Sequence, residues 1–254
     1  MNHLKISQFL ALSYAGQEAV NTLCTNLTFS GENTKKIMIT SAHATEGKSF
    51  VAMNILRTMA KYGKRVVLVD ADLRMSTMMS RFGFKYQQPE NEAGLAHFLA
   101  GMVDESNVIY ETNINGAYIV PIGRRVSAPM PLLNSARLNK LLTHLAEMFD
   151  YVLVDAPPVG IVIDAAEIAK SCDGVLVVVN YDDVHRQELL DVKVQLEKTG
   201  CPVIGAVLNQ VEPDDYFGRK YYKSYYADYG SDTKKKREKN QKKNQKKRRF
   251  NQRS

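Results

Sequence analysis

The chain has 254 residues, 44% of them hydrophobic and 24% charged, the ordinary balance of a globular protein. No run approaches the roughly 18 consecutive apolar residues of a membrane-spanning helix. The N-terminus lacks the apolar core and small-residue cleavage site of a signal peptide. Cys24, Cys172 and Cys201 are widely spaced and form no CxxC pair, which argues against a disulfide scaffold or a zinc site and fits a reducing cytosol. The net charge of +7 combines two unlike parts. Residues 231–254 hold 12 Lys and Arg against Asp232 and Glu238, a net of +10, so residues 1–230 carry −3. Basicity confined to a tail does not describe a nucleic-acid-binding body.

In chain order, residues 1–35 read as an N-terminal helical segment. Short β-branched runs then recur at 36–41 (KIMITS), 65–70 (RVVLVD), 117–122 (AYIVPI), 151–156 (YVLVDA), 174–180 (GVLVVVN) and 202–209 (PVIGAVLN). Several are almost continuously apolar, as strands covered on both faces must be. Helix-period segments lie between them at 49–63, 135–149 and 183–200, with Gly63 and Gly200 where C-terminal caps belong. Strands alternating with helices predict βαβ units: an α/β fold with a doubly wound, mainly parallel sheet. The folded part is expected to end near Val211, giving a domain over 36–211. Residues 212–254 contain no Val, Ile, Leu or Met. Such a stretch cannot offset its ordering entropy, so the tyrosine cluster (212–230) and basic tail (231–254) are expected to be disordered.

The first apolar run enters SAHATEGKSF and then a helix directly. Successive backbone N–H groups at a helix N-terminus wrap phosphates, and the dipole there favours anions. Ala42-x-x-x-x-Gly47-Lys48-Ser49 fits the looser Walker A pattern of a P-loop NTPase, with Ala in the first glycine position. Lys48 would reach the β- and γ-phosphates and Ser49 would bind Mg²⁺. The run at 65–70 delivers Asp70 and Asp72, and the run at 151–156 delivers Asp155, each at a strand's carboxyl end. In open parallel sheets ligands sit beyond those ends. One such Asp caps a turn as readily as it serves a site; three beside a P-loop aim carboxylates at a metal-bound phosphate.

The GKS loop, VVLVDADLR and DYVLVDAPPVGIVIDA together resemble the bacterial tyrosine kinases (BY-kinases) with their Walker A, A′ and B motifs, and within them the CpsD-like kinases of capsule and exopolysaccharide production. The resemblance extends over nearly all of 14–230, including EAVNTLCTNLTFSG (18–31), GLAHFLAG (94–101) and PMPLLNSARLNKLL (129–142). It implies an ATP- and Mg²⁺-dependent protein-tyrosine autokinase regulating polysaccharide polymerisation and export. Ala44, Thr45, Glu46, Gly47, Lys48, Ser49 and Phe50 would hold the nucleotide. Ser49, Asp70 and Asp155 would organise Mg²⁺, and Lys48, Asp70, Asp72 and Asp155 would form the catalytic set. A tyrosine hydroxyl with pKa near 10 needs a carboxylate or metal to assist deprotonation. Asp72 is favoured for that position, with Asp70 the alternative. Asn209, ending its strand, is a candidate for the adenine edge, against a plain strand-terminating turn.

Two departures stand out. Such loops usually carry Pro-Gly where this chain has Ala44-Thr45, and glycine there lets backbone approach phosphate unobstructed. An acidic-x-x-Arg-x-x-Arg pattern used in ring assembly is reduced to Glu18, Asn21 and Cys24. His43 is read as a solvent-facing loop histidine.

Tyr216, Tyr221, Tyr222, Tyr225, Tyr226 and Tyr229 fall within 14 residues that include Gly, Lys, Ser and Asp but no aliphatic partner. A packed aromatic face and stacking on bases are the competing readings; the resemblance makes them autophosphorylation sites entered in trans. Each phosphate adds about −1.5 to −2 charges beside the +10 tail, a physical switch on docking. The resemblance also implies a transmembrane co-polymerase-like adaptor contacting the N-terminal segment, a self-phosphorylating oligomer, a cognate tyrosine phosphatase, and a cytoplasmic location at the inner membrane face. The tail is read as solubilising, or as a ligand for anionic lipid or another polyanion. Two other readings share the fold. One is a ParA/MinD-like positioning ATPase, whose signature loop lysine is absent from His43–Lys48; the other is a nucleotide-weak pseudokinase scaffold.

Overall fold

The computed structural model describes residues 2–31, 33–88, 92–160, 163–181 and 186–211. In chain order its elements are β1 (Asn2–Ile6), α1 (Tyr14–Thr28), β2 (Lys36–Ser41), α2 (Lys48–Lys61), β3 (Val66–Asp70), α3 (Met78–Arg81), β4 (Phe84–Tyr86), α4 (Leu95–Leu99), β5 (Tyr110–Thr112), β6 (Ala117–Val120), α5 (Met130–Leu133), α6 (Ala136–Met148), β7 (Tyr151–Asp155), α7 (Asp164–Ala169), β8 (Gly174–Asn180), α8 (Arg186–Glu197) and β9 (Val203–Asn209). The strands form one sheet in the order β4-β1-β5-β6-β3-β7-β2-β8-β9. All neighbours are parallel except β1 with β4 and β5 with β6.

Period-two alternation divides each central strand between two cores. Met38, Val67 and Val69 face one layer with Leu138, Leu141, Leu142 and Leu145 of α6 and Val192 and Leu196 of α8. Ile37, Ile39, Val66 and Leu68 face the other, with Ile55, Leu56 and Met59 of α2 and Cys24 and Leu27 of α1. Because β2, β3, β7 and β8 are covered on both sides, they are nearly continuous apolar runs. The chain leaves β2 through α2 on one face and leaves β7 through α7 on the other. The connections therefore part above these two adjoining strands, where a doubly wound sheet opens a crevice. Gly63 and Gly200 follow α2 and α8 with positive φ, as the capping pattern predicted.

The N-terminal segment corrects the expectation of a purely helical 1–35. Leu4 and Ile6 are buried while His3 and Lys5 point outward, a period-two pattern that makes β1 a strand. It pairs parallel to β5 and antiparallel to β4, so the segment belongs to the same sheet as the central strands. The helix begins only at Tyr14, where the Ser13 hydroxyl accepts the Gly16 N–H as an N-cap. β4 and β5, three residues each, also went unpredicted; such short runs carry no legible periodicity. Among the described residues no helix is long and apolar enough to cross a membrane.

Candidate active site

The loop between β2 and α2 is built around one inward carboxylate. Glu46 is fully buried, and its Oε2 accepts the His43 N–H at 2.7 Å while its Oε1 accepts the Asn180 N–H at 3.1 Å. The loop is thereby closed on itself and tied to the end of β8. From β9, Asn209 Nδ2 donates to the Glu46 carbonyl at 2.9 Å, and Gln210 Nε2 donates to the Thr45 carbonyl at 3.1 Å. Two backbone positions take left-handed conformations, Thr45 at φ 68° and Gly47 at φ 91°. Glycine adopts that region freely, and a Cβ at Gly47 would also collide with the Asn209 amide. Thr45 adopts it with a β-branched side chain, a rare and strained arrangement.

Gly47 is the N-cap of α2 and offers no side-chain cap, and the first turn holds no acidic residue. The helix therefore directs its early N–H groups and dipole into the crevice, an anion site. Ala44 and Thr45 are exposed at its mouth; Lys48, Ser49 and Phe50 are half-buried in the first turn.

Across the crevice, Asp70 and Asp155 end β3 and β7 and face each other in register. They are 1% and 2% exposed. Ser49 Oγ donates to Asp155 Oδ2 at 2.5 Å, and Ser76 Oγ donates to Asp70 Oδ2. The remaining oxygens, Asp70 Oδ1 and Asp155 Oδ1, are buried without a hydrogen-bond partner in the described structure. Burial, reinforced by the Asp155 charge, holds the Asp70 carboxyl well above the usual carboxylate range. Burial also pushes Asp155 up to about 6, against the opposing pull of the Ser49 hydroxyl and the Lys48 ammonium. Two orphaned carboxylate oxygens beside a hydroxyl are hard oxygen donors that suit a divalent cation. Among the described residues no cluster of three or more His, Cys, Asp or Glu stands ready to ligate a metal. A cation here would complete its shell from phosphate and water, the habit of Mg²⁺.

Asp72 lies just beyond, half-exposed, its Oδ1 accepting the Met75 N–H at 3.0 Å. Its loop is fastened by residues to which the sequence reading assigned no role. Arg74 grips buried Asp164 with two bonds, Nε to Oδ2 at 2.5 Å and Nη2 to Oδ1 at 3.1 Å. Its Nη1 donates to the Ser127 carbonyl at 2.9 Å. Both ends were visible, in DADLR and in VIDAA, but a pair 90 residues apart has no local periodicity to announce it. The structure thus gathers Lys48, Ser49, Asp70, Asp72 and Asp155 at one edge and turns Asn209 onto the loop backbone. Tyr216, Tyr221, Tyr222, Tyr225, Tyr226, Tyr229 and the basic tail lie outside the described residues.

An uncapped helix start facing strand-end carboxylates is the arrangement of a P-loop NTPase, and the AAA domain family matches residues 34–197. Tyrosine-protein kinase CpsD of Streptococcus pneumoniae is 38% identical over 196 residues, covering 77% of this chain and 85% of that protein. The kinase domain of Escherichia coli tyrosine kinase ETK superposes with a TM-score of 0.73 at 32% identity, over 79% of this chain and 77% of that one. The Pyrococcus furiosus cell division ATPase MinD is more distant, with a TM-score of 0.58 at 25% identity, over 72% of this chain and 74% of that one. The chain belongs to the CpsD-like bacterial tyrosine-protein kinases.

Proposed function

We propose that the protein transfers the γ-phosphoryl group of ATP to tyrosine hydroxyls, its own clustered tyrosines included, and so regulates capsular or exopolysaccharide polymerisation and export. The observation that carries this reading is the in-register pair Asp70 and Asp155, each with a buried oxygen lacking a partner among the described residues, opposite the uncapped start of α2. Such a site is unfavourable while empty and suits a phosphate-bound cation.

Residues 44–50 cradle the phosphates through backbone N–H groups, and the Lys48 ammonium neutralises charge on the transferring group. Ser49, Asp155 and Asp70 would hold Mg²⁺, which when bound supplies charge neutralisation on the β- and γ-phosphates. Asp72, on the open side of the pair, receives the proton of the incoming tyrosine hydroxyl; Asp70 is buried and committed to Ser76. Asn209 serves the nucleotide through the loop that it braces. The supporting partners are a transmembrane adaptor that holds the kinase at the membrane's inner face, a second copy that presents its tyrosines, and a phosphatase that resets them.

The test is incubation of the full chain with Mg²⁺-ATP, with and without an adaptor's cytoplasmic segment, mapping phosphotyrosine by mass spectrometry. Phosphate on Tyr216–Tyr229 that vanishes in Lys48→Met establishes the reading. ATP hydrolysis with no phosphotyrosine would replace it with a positioning ATPase, and absence of both with a nucleotide-weak scaffold.

A further inference from the structure

We propose that Arg124 and Arg125 form a subsite that reads an acidic side chain next to the acceptor tyrosine. The proposal rests on the kinase reading above and names the substrate feature that the same site selects. β6 pairs parallel to β3 from Val66 with Ala117 to Val69 with Val120, so the chain beyond Val120 emerges at the same sheet edge as Asp70 and Asp72. That stretch is laid along the Asp72 loop by three bonds. Val126 N–H donates to the Leu73 carbonyl at 2.9 Å, Arg125 Nη2 to the Ser76 carbonyl at 2.9 Å, and Arg74 Nη1 to the Ser127 carbonyl at 2.9 Å. Arg124 and Arg125 are exposed there, one strand beyond the carboxylates and on the side away from the phosphate loop.

Their charge is available. Arg74 is neutralised by Asp164, whereas among the described residues neither Arg124 nor Arg125 takes part in an ion pair. Arg125 commits one N–H to Ser76 and a guanidinium has five, enough to fork onto a carboxylate as well. Reach also fits. Neighbouring strands lie about 4.8 Å apart and an extended peptide advances about 3.4 Å per residue. With the hydroxyl at Asp72, a carboxylate one or two positions from the tyrosine meets the arginines.

The chain's own cluster carries this feature unevenly. Asp214 and Asp215 precede Tyr216, and Asp228 lies directly before Tyr229 and two residues after Tyr226, whereas Tyr221, Tyr222 and Tyr225 have only Arg219, Lys220 or Lys223 as charged residues within two positions. Tyr216 and Tyr229, each with an aspartate directly before it, are therefore the preferred first acceptors, followed by Tyr226.

Two acceptor peptides spanning 212–230 test this, one native and one with Glu212→Gln, Asp214→Asn, Asp215→Asn and Asp228→Asn. Their kcat/KM ratio is measured with the full-length wild-type chain and with Arg124→Gln/Arg125→Gln. The wild type should favour the native peptide about fivefold at low salt, the upper range for a surface ion pair, and less at high salt. In the double variant the ratio should fall towards one. Arg124→Glu/Arg125→Glu should instead prefer a peptide with lysines at the acidic positions, a gain that an unfolded variant cannot show. A ratio unchanged in Arg124→Gln/Arg125→Gln overturns the proposal, since the basic tail, present in every form, would then be the attractor. Equal phosphorylation of both peptides by the wild type overturns it alone, as does phosphate on neither peptide while the chain still phosphorylates its own tyrosines. No phosphotyrosine on peptide or chain, with an adaptor's cytoplasmic segment present, overturns the kinase reading and the proposal with it.

Discussion

Asp70 and Asp155 stand opposite each other on adjacent parallel strands, each with one carboxylate oxygen bonded to a serine and the other buried with no partner among the described residues. Burial raises the proton affinity of both carboxyls, and the Asp155 charge raises that of Asp70 further. The arrangement opposes stability and favours a cation. Its consequences reach both pH dependence and the effect of substitution.

Between pH 3.8, the ordinary Asp value, and about 6, the folded state retains a proton on Asp155 that the unfolded chain has released. Stability contributed by that proton is lost as pH rises through this window, because the folded state binds more protons than the unfolded. Calorimetry without nucleotide should show a melting temperature that falls from pH 5 to 7.5 on this account, with a flatter profile in Asp155→Asn. Stabilisation by Mg²⁺-ADP should grow over the same range, since binding needs the carboxylates ionised. An unchanged slope in Asp155→Asn would assign the pH dependence elsewhere.

Asp155→Asn should also separate stability from activity. Removing the buried charge should stabilise the nucleotide-free protein by about 0.5–2 kcal/mol, as relief of a strained active site commonly does. Phosphotransfer should be abolished. Denaturant unfolding read beside phosphotyrosine yield checks both halves.

Thr45→Gly should relieve the left-handed strain at φ 68°. A non-glycine residue in that region costs about 1–2 kcal/mol, partly offset by glycine's greater unfolded-state freedom. Nucleotide affinity should rise severalfold by calorimetric titration as the loop loses an obstructing side chain. No gain would mean that threonine already fits the phosphate-bound conformation.

Asn209→Ala removes the donor to the Glu46 carbonyl, a net loss of about 0.5–1.5 kcal/mol for a typical hydrogen bond. Since Asn209 acts on the loop, ATP and GTP affinities should fall together. A loss confined to ATP would restore the adenine-edge role.

Arg74→Ala leaves Asp164 buried and unpaired, which should cost about 3–5 kcal/mol. Arg74→Lys keeps the charge but not the two-pronged geometry and should fall between. Chemical denaturation of the three proteins orders them directly. Equal stability of all three would show that the pair contributes nothing measurable to folding.

Much of the site was legible because it is local. A strand, a six-residue turn and a helix put Lys48 and Ser49 in the first turn of α2 by chain continuity alone, and strand-end aspartates announce themselves by terminating apolar runs. What escaped were contacts between distant segments: Glu46 with Asn180, Asn209 with the Glu46 carbonyl, and Arg74 with Asp164. Glu46 reads from sequence as one of the residues holding the nucleotide, and only the folded chain turns its carboxylate inward onto the His43 N–H of its own loop and the Asn180 N–H at the end of β8.

The sequence by itself determined the alternation of strand and helix, the P-loop, the three aspartates and the separation of a mildly acidic body from a basic tail. These follow from periodicity and composition, which act over a few residues. Only the tertiary structure decided that the first five-residue strand joins the central sheet and that Asp70 meets Asp155 in register. It alone placed Arg124 and Arg125 one strand beyond them. Strand order is settled by which apolar faces pack against which helices, a global balance that no local pattern of residues encodes.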